Sequence, residues 1–178
     1  MKKVFIVTFL FLLSELISGQ TYNDIERISA YINQPLSKFE KEQNMKPTDG
    51  AMKKFGLTTC VYNYQNFIVM MSEIEENGVI GDISFMPKRD INNSEKWYSI
   101  CRQMDNNPEY IFEGSLIGSE NREIHEEQLK FNSLIEKLRK FNDVSDFIYY
   151  VKYKKNSLHY QLSIVKEKML IRVKTNPD

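Results

Sequence analysis

The sequence has few of the residues that most enzymes and metal proteins need. Its 178 residues include two histidines, two cysteines, one tryptophan and seven glycines. The glycines occur singly, so the chain has no glycine-rich phosphate loop, and it has no Gly-x-Ser-x-Gly nucleophile motif. A zinc site of four His and Cys ligands would need every His and Cys in the chain. We therefore expect no cofactor and no metal, and we favour a non-catalytic protein over an enzyme while leaving the enzyme alternative open.

Net charge is also absent, because 24 Lys and Arg balance 24 Asp and Glu. Without an overall positive field, nucleic acid is not expected as a partner. Aromatic residues, in contrast, are abundant, with ten Tyr and eleven Phe. Since disordered chains are poor in such residues, the composition predicts a folded domain with a large core.

The only long apolar run lies at the start of the chain. Lys2 and Lys3 precede residues 4–13, which are apolar except for Thr8, and small and polar residues follow at 18–20. This pattern is typical of a cleaved export signal, and the run is too short for a stable membrane span. We predict a signal peptide at residues 1–19 and a single domain at residues 20–178. That domain would work in the periplasm or outside the cell, with no membrane span after cleavage.

The two cysteines, Cys60 and Cys101, form an even pair. In an exported protein such a pair favours a disulfide. The alternative is two separately buried thiols that act as small apolar side chains. The sequence leaves both open.

Hydrophobic periodicity predicts an α+β fold. Ile25, Ile28 and Ile32 have helical spacing after the capping residues Asn23 and Asp24, and a short helical segment follows Pro35. Further helices are predicted at 94–104 and 121–141, and strands at 57–64, 67–75, 79–86, 110–117, 147–154, 158–165 and 169–174. Strands that follow one another through short turns favour antiparallel pairing. We expect an antiparallel sheet of about six to seven strands with three main helices packed against one face.

Asn77-Gly78 is a strong signal for a two-residue hairpin turn. Such a turn would place Glu73 opposite Asp82, with Glu75 close to the turn. Opposed carboxylates repel unless one is protonated or a cation lies between them. This acidic patch could be a weak cation site, an acid–base pair or a recognition surface; the alternative is a solvated outer face or a different register.

The last three strands carry an excess of positive charge. Alternation places on one face the side chains of Lys152, Lys154, His159, Gln161, Arg172 and Lys174. A basic face with Tyr150 beside it suits an acidic protein, a polyanionic glycan or a phosphate group. The alternative is the ordinary wet face of an antiparallel sheet, on which lysines prevent aggregation.

Three functions from different classes follow. The leading hypothesis is a non-catalytic binding domain whose partner is another protein, for example as an inhibitor, immunity factor or envelope-assembly component. The second is a pocket protein for a small apolar ligand, lined by aromatic residues such as Tyr62, Tyr64, Trp97, Tyr110 and Tyr149. The third is a hydrolase that uses Glu73 and Asp82 as paired carboxylates.

Overall fold

The computed structural model describes residues 21–48, 52–54, 57–89, 93–119, 129–141 and 147–176. Over these residues the chain forms four helices and one eight-stranded antiparallel sheet. The helices are α1 (21–29), α2 (Leu36–Gln43), α3 (Asn93–Asn106) and α4 (Phe131–Leu138). The strands are β1 (Met52–Lys54), β2 (Leu57–Tyr64), β3 (Phe67–Glu73), β4 (Ile80–Pro87), β5 (Ile111–Ser119), β6 (Phe147–Lys155), β7 (Leu158–Val165) and β8 (Lys168–Lys174).

The predicted α+β class with one antiparallel sheet is confirmed. Seven strands correspond to the predicted ones, and β1 adds a three-residue strand at one edge. The helices number four in the described chain rather than three, because the short segment after Pro35 is a helix of its own. The predicted signal peptide and the predicted helical residues 121–128 lie outside the described residues.

The sheet order divides the fold into two halves. The order is β1-β2-β3-β4-β8-β7-β6-β5, so each half is a run of strands in chain order. The halves meet where the last strand of each, β4 and β8, pair antiparallel, with Ile83 opposite Val173 and Phe85 opposite Ile171.

One face of this sheet carries the core. Along β6 the buried residues are Phe147, Tyr149, Val151 and Tyr153, and the residues between them are half-exposed. The same alternation on β3 buries Phe67, Val69 and Met71. Because these side chains are large and apolar or aromatic, the face must be covered by other elements.

All four described helices pack on that face. The Phe39 ring of α2 lies 4.9 Å from the Tyr62 ring of β2, and the Trp97 ring of α3 lies 5.0 Å from the Tyr149 ring. The Trp97 indole N–H also donates to the Leu162 carbonyl at 2.9 Å, which satisfies its only polar group in the core. No helix in the described part of the chain is both long and apolar enough to cross a membrane.

The predicted register of the β3–β4 hairpin is wrong by one residue. Ser72, not Glu73, lies opposite Asp82, and a bulge follows between Ser72 and Glu73. The cause is a contact from far away in the chain. The connection between α1 and α2 pairs with the end of the hairpin, where the Leu36 N–H donates to the Gly78 carbonyl and the Ile80 N–H to the Gln34 carbonyl. Residues 74–78 therefore form a wider loop than a two-residue turn.

Candidate functional site

The face of the sheet away from the helices brings together the predicted basic residues. Lys154 lies opposite His159, and His159 lies opposite Lys174 on the next strand. In the adjacent row, Lys152 and Arg172 lie on either side of Gln161. We call Lys152, Lys154, His159, Arg172 and Lys174 the basic face.

Two members of the basic face contact the carboxylates of neighbouring side chains. The Arg172 Nε donates to Asp82 at 2.5 Å, and the His159 Nδ1 lies 2.8 Å from a Glu113 carboxylate oxygen. The Lys152 ammonium lies 5.1 Å from the centroid of the Tyr150 ring, a cation–π distance. Without His159, the basic face has four cations, and two carboxylates, Asp82 and Glu113, contact it. Among the described residues the face therefore has a net positive charge.

An apolar row runs beside the basic face on the same side of the sheet. Leu116 pairs with Tyr150, Tyr150 with Ser163 and Ser163 with Leu170, while Ile68 pairs with Met86 on the other half. We call Ile68, Met86, Leu116, Tyr150 and Leu170 the apolar row. All five are half-exposed, and none of the described helices packs over them.

The predicted acidic patch is not assembled. The Glu73 side chain is buried on the helix side of the sheet, where it accepts a hydrogen bond from the Thr58 N–H at 3.0 Å. Asp82 lies on the opposite side and pairs with Arg172, and Glu75 is exposed in the loop after β3. Because Glu73 and Asp82 project from opposite sides, they provide no paired-carboxylate site.

The two cysteines are both free and buried, Cys60 on β2 and Cys101 on α3. The candidate disulfide is therefore not formed, and the alternative of two separate thiols describes the structure. Burial raises the pKa of both thiols, that of Cys101 strongly. A buried thiol with a raised pKa stays protonated at neutral pH and is a poor nucleophile.

The aromatic residues expected to line a ligand pocket belong to the packed core. Tyr62, Tyr64, Trp97, Tyr110 and Tyr149 are each at least nine-tenths buried. Their polar groups are also engaged within the protein: the Tyr62 hydroxyl, for example, donates to Glu40 at 2.9 Å and the Tyr110 hydroxyl to Glu26 at 2.8 Å. Burial raises the pKa of both hydroxyls.

An ion-pair cluster that the sequence analysis missed ties α1 to the end of β6. The Lys155 ammonium lies 2.5 Å from Glu26 and 2.8 Å from Glu109, and 5.1 Å from the centroid of the Tyr110 ring. Burial acts to lower the pKa of Lys155, but its two carboxylate partners raise it overall, so this lysine stays charged. Glu26 and Lys155 are 129 residues apart, and no local pattern points to their contact.

No family model, no curated protein and no solved structure matches the chain. The structure itself defines an α+β protein whose single antiparallel sheet carries its described helices on one side. The other side presents charged and apolar side chains in adjacent rows.

Proposed function

We propose that this protein is an exported, non-catalytic binding domain that uses the basic face and the apolar row to bind an acidic protein partner. The observation that carries the proposal is the side-by-side arrangement of these two surfaces on a sheet face that no described helix covers. Export is proposed from the signal-like pattern of residues 1–19.

The charge of the face supports an acidic partner. Among the described residues, Lys152 and Lys154 have no carboxylate partner, whereas Arg172 is already paired with Asp82. Cations without a counter-charge attract a partner of opposite charge and raise the association rate. Lys152 and Lys154 are thus the cations most available to a partner.

The apolar row supports a protein rather than a simple polyanion. Binding interfaces between proteins have an apolar or aromatic centre with a polar rim, and Tyr is among the residues that contribute most to affinity. Tyr150 lies in the apolar row and also contacts Lys152, so it joins the two surfaces. A polyanionic glycan would use the lysines but would leave the apolar row unused.

The test is affinity capture with two matched double variants. Tagged wild-type protein is incubated with envelope and medium fractions of the source organism, and retained proteins are identified by mass spectrometry. The face variant Lys152→Glu/Lys154→Glu is compared with Lys38→Glu/Lys41→Glu on the helix α2, which changes the charge equally on the other side of the sheet. Circular dichroism checks that both variants are folded.

We expect a retained acidic protein whose affinity falls at least about tenfold, or roughly 1.4 kcal/mol, in the face variant and is unchanged in the α2 variant. Raising the salt concentration should weaken the same complex, because charge steers it. A partner that binds the face variant as well as the wild type would contradict the proposal. Retention of nothing by the wild type at low ionic strength would contradict it too.

A further inference from the structure

A second polar surface lies away from the basic face, where helices α1 and α3 meet the turn between β2 and β3. It is a groove of about 420 Å³. Its lining residues come from four segments of the chain: Thr21, Gln65, Asn66, Phe67, Pro87, Lys88, Arg89 and Lys96.

Three cations line this groove. Lys88 and Arg89 are exposed and Lys96 is half-buried. None of the three forms an ion pair with a carboxylate of the residues that the structure describes. The groove therefore carries a local excess of positive charge, which attracts anions.

The position of Lys96 strengthens this point. It is the fourth residue of α3, close to the helix N-terminus. The helix dipole makes that end positive, so a cation there is unfavourable to the helix itself. Lys96 is thus placed where it does not serve helix stability but does add charge to the groove.

The neutral residues of the groove suit an oxyanion. The exposed Asn66 amide can donate hydrogen bonds, and Arg89 offers the planar fork that binds two oxygens at once. Pro87, which is half-exposed, supplies an apolar surface for the remainder of a ligand. We propose that this groove binds a small ligand through a phosphate or sulfate group.

The test uses inorganic probes and variants that remove charge without reversing it. Isothermal titration calorimetry at constant ionic strength measures the binding of pyrophosphate and of sulfate to the purified protein. The groove variant is Arg89→Gln/Lys96→Gln. The matched control is Lys38→Gln/Lys41→Gln, which removes two exposed charges from helix α2 and leaves the groove intact.

We expect saturable binding of at least one probe with a Kd below about 1 mM, weakened at least tenfold in the groove variant and unchanged in the control. A preference for pyrophosphate would indicate a phosphorylated ligand, and a preference for sulfate a sulfated one. The groove variant should have an unchanged melting temperature or one raised by ~1–3 °C, because it removes a cation from the positive end of α3, and its lost affinity would then not reflect lost folding. No binding of either probe would overturn the proposal, as would equal weakening in both variants.

Discussion

Replacing Lys155 with Met should destabilise the protein more than its position at the end of a strand suggests. The Lys155 ammonium lies between Glu26 and Glu109, and its side chain is only 20% exposed. Met keeps most of the apolar volume but removes the charge. Glu26, which also accepts a hydrogen bond from the Tyr110 hydroxyl, then loses its cation.

The expected cost follows from the two contacts. The contact with Glu26 is a short hydrogen bond between charged and largely buried groups, and such bonds contribute about 1.5–3 kcal/mol. The contact with Glu109, which is 64% exposed, contributes at most about 0.5 kcal/mol. We therefore expect Lys155→Met to lower the free energy of unfolding by about 2–3 kcal/mol, and the melting temperature by about 5–10 °C.

The same contact predicts a dependence on pH. Burial acts to raise the pKa of Glu26, but hydrogen bonds from Lys155 and Tyr110 and the Lys155 charge lower it overall from the ordinary value of 4.5. Since the pKa is lower in the folded state, this stabilisation is complete above the ordinary pKa and is lost as the pH falls through the folded value. Glu26→Gln should remove that part of the acid sensitivity.

Urea unfolding of the wild type, Lys155→Met, Glu26→Gln and the double variant, at pH 7 and at a series of lower pH values that passes well below 4.5, measures both effects. We expect a coupling energy of about 1–2 kcal/mol at pH 7. Lys41→Met, an exposed lysine on α2, is the control and should change stability by less than about 0.5 kcal/mol. A loss in Lys155→Met no larger than in this control, or an unchanged acid limb in Glu26→Gln, would refute the reasoning.

Two further predictions concern the core and the β3–β4 loop. Because Cys60 and Cys101 are buried and free, a maleimide should label neither thiol in the native protein and both after unfolding without reductant. Mass spectrometry counts the labels. Absence of labelling after unfolding would reveal a disulfide and contradict the prediction. At Gly81 an added Cβ would lie 2.1 Å from Cγ1 and 2.9 Å from Cβ of Ile74. Gly81→Ala should therefore lower the free energy of unfolding in urea by ~1 kcal/mol, because it displaces Ile74. The loss should be smaller in an Ile74→Ala background. An equal loss in both backgrounds would contradict the steric explanation.

Much of the C-terminal half could be predicted because its information is local. β7 begins and ends at the predicted residues, and the Asn156-Ser157 turn joins it directly to β6. With a tight turn and alternating burial, the register has little freedom, and every side chain is assigned to a face. For that reason the basic face was predicted residue by residue.

The Asn77-Gly78 signal failed although it is locally as strong. There the chain has a competing partner, since Gly78 and Ile80 pair with residues 34–36 rather than closing a minimal turn. The one-residue shift moves Glu73 to the helix side and leaves Asp82 alone on the outer side. Asp82 then pairs with Arg172, 90 residues away, which only the order of strands determines.

The groove and the Glu26–Lys155 cluster were beyond prediction for the same reason. From the sequence alone, Lys96 is interpreted as a surface residue of a helix, and Lys88 and Arg89 are interpreted as a basic pair that follows a strand. Only the packing of α1 and α3 beside the β2–β3 turn brings them to one place.

The pairing of β4 with β8 also constrains how the molecule forms. Each half can fold its own hairpins early, but β4 and β8 keep an open edge of unpaired N–H and C=O groups until they find each other. Contacts that distant in sequence form slowly, and open edges meanwhile favour aggregation. The pairing of β4 with β8 therefore makes the two halves one cooperative unit. Neither half is protected from aggregation until β8, the last strand, has paired with β4.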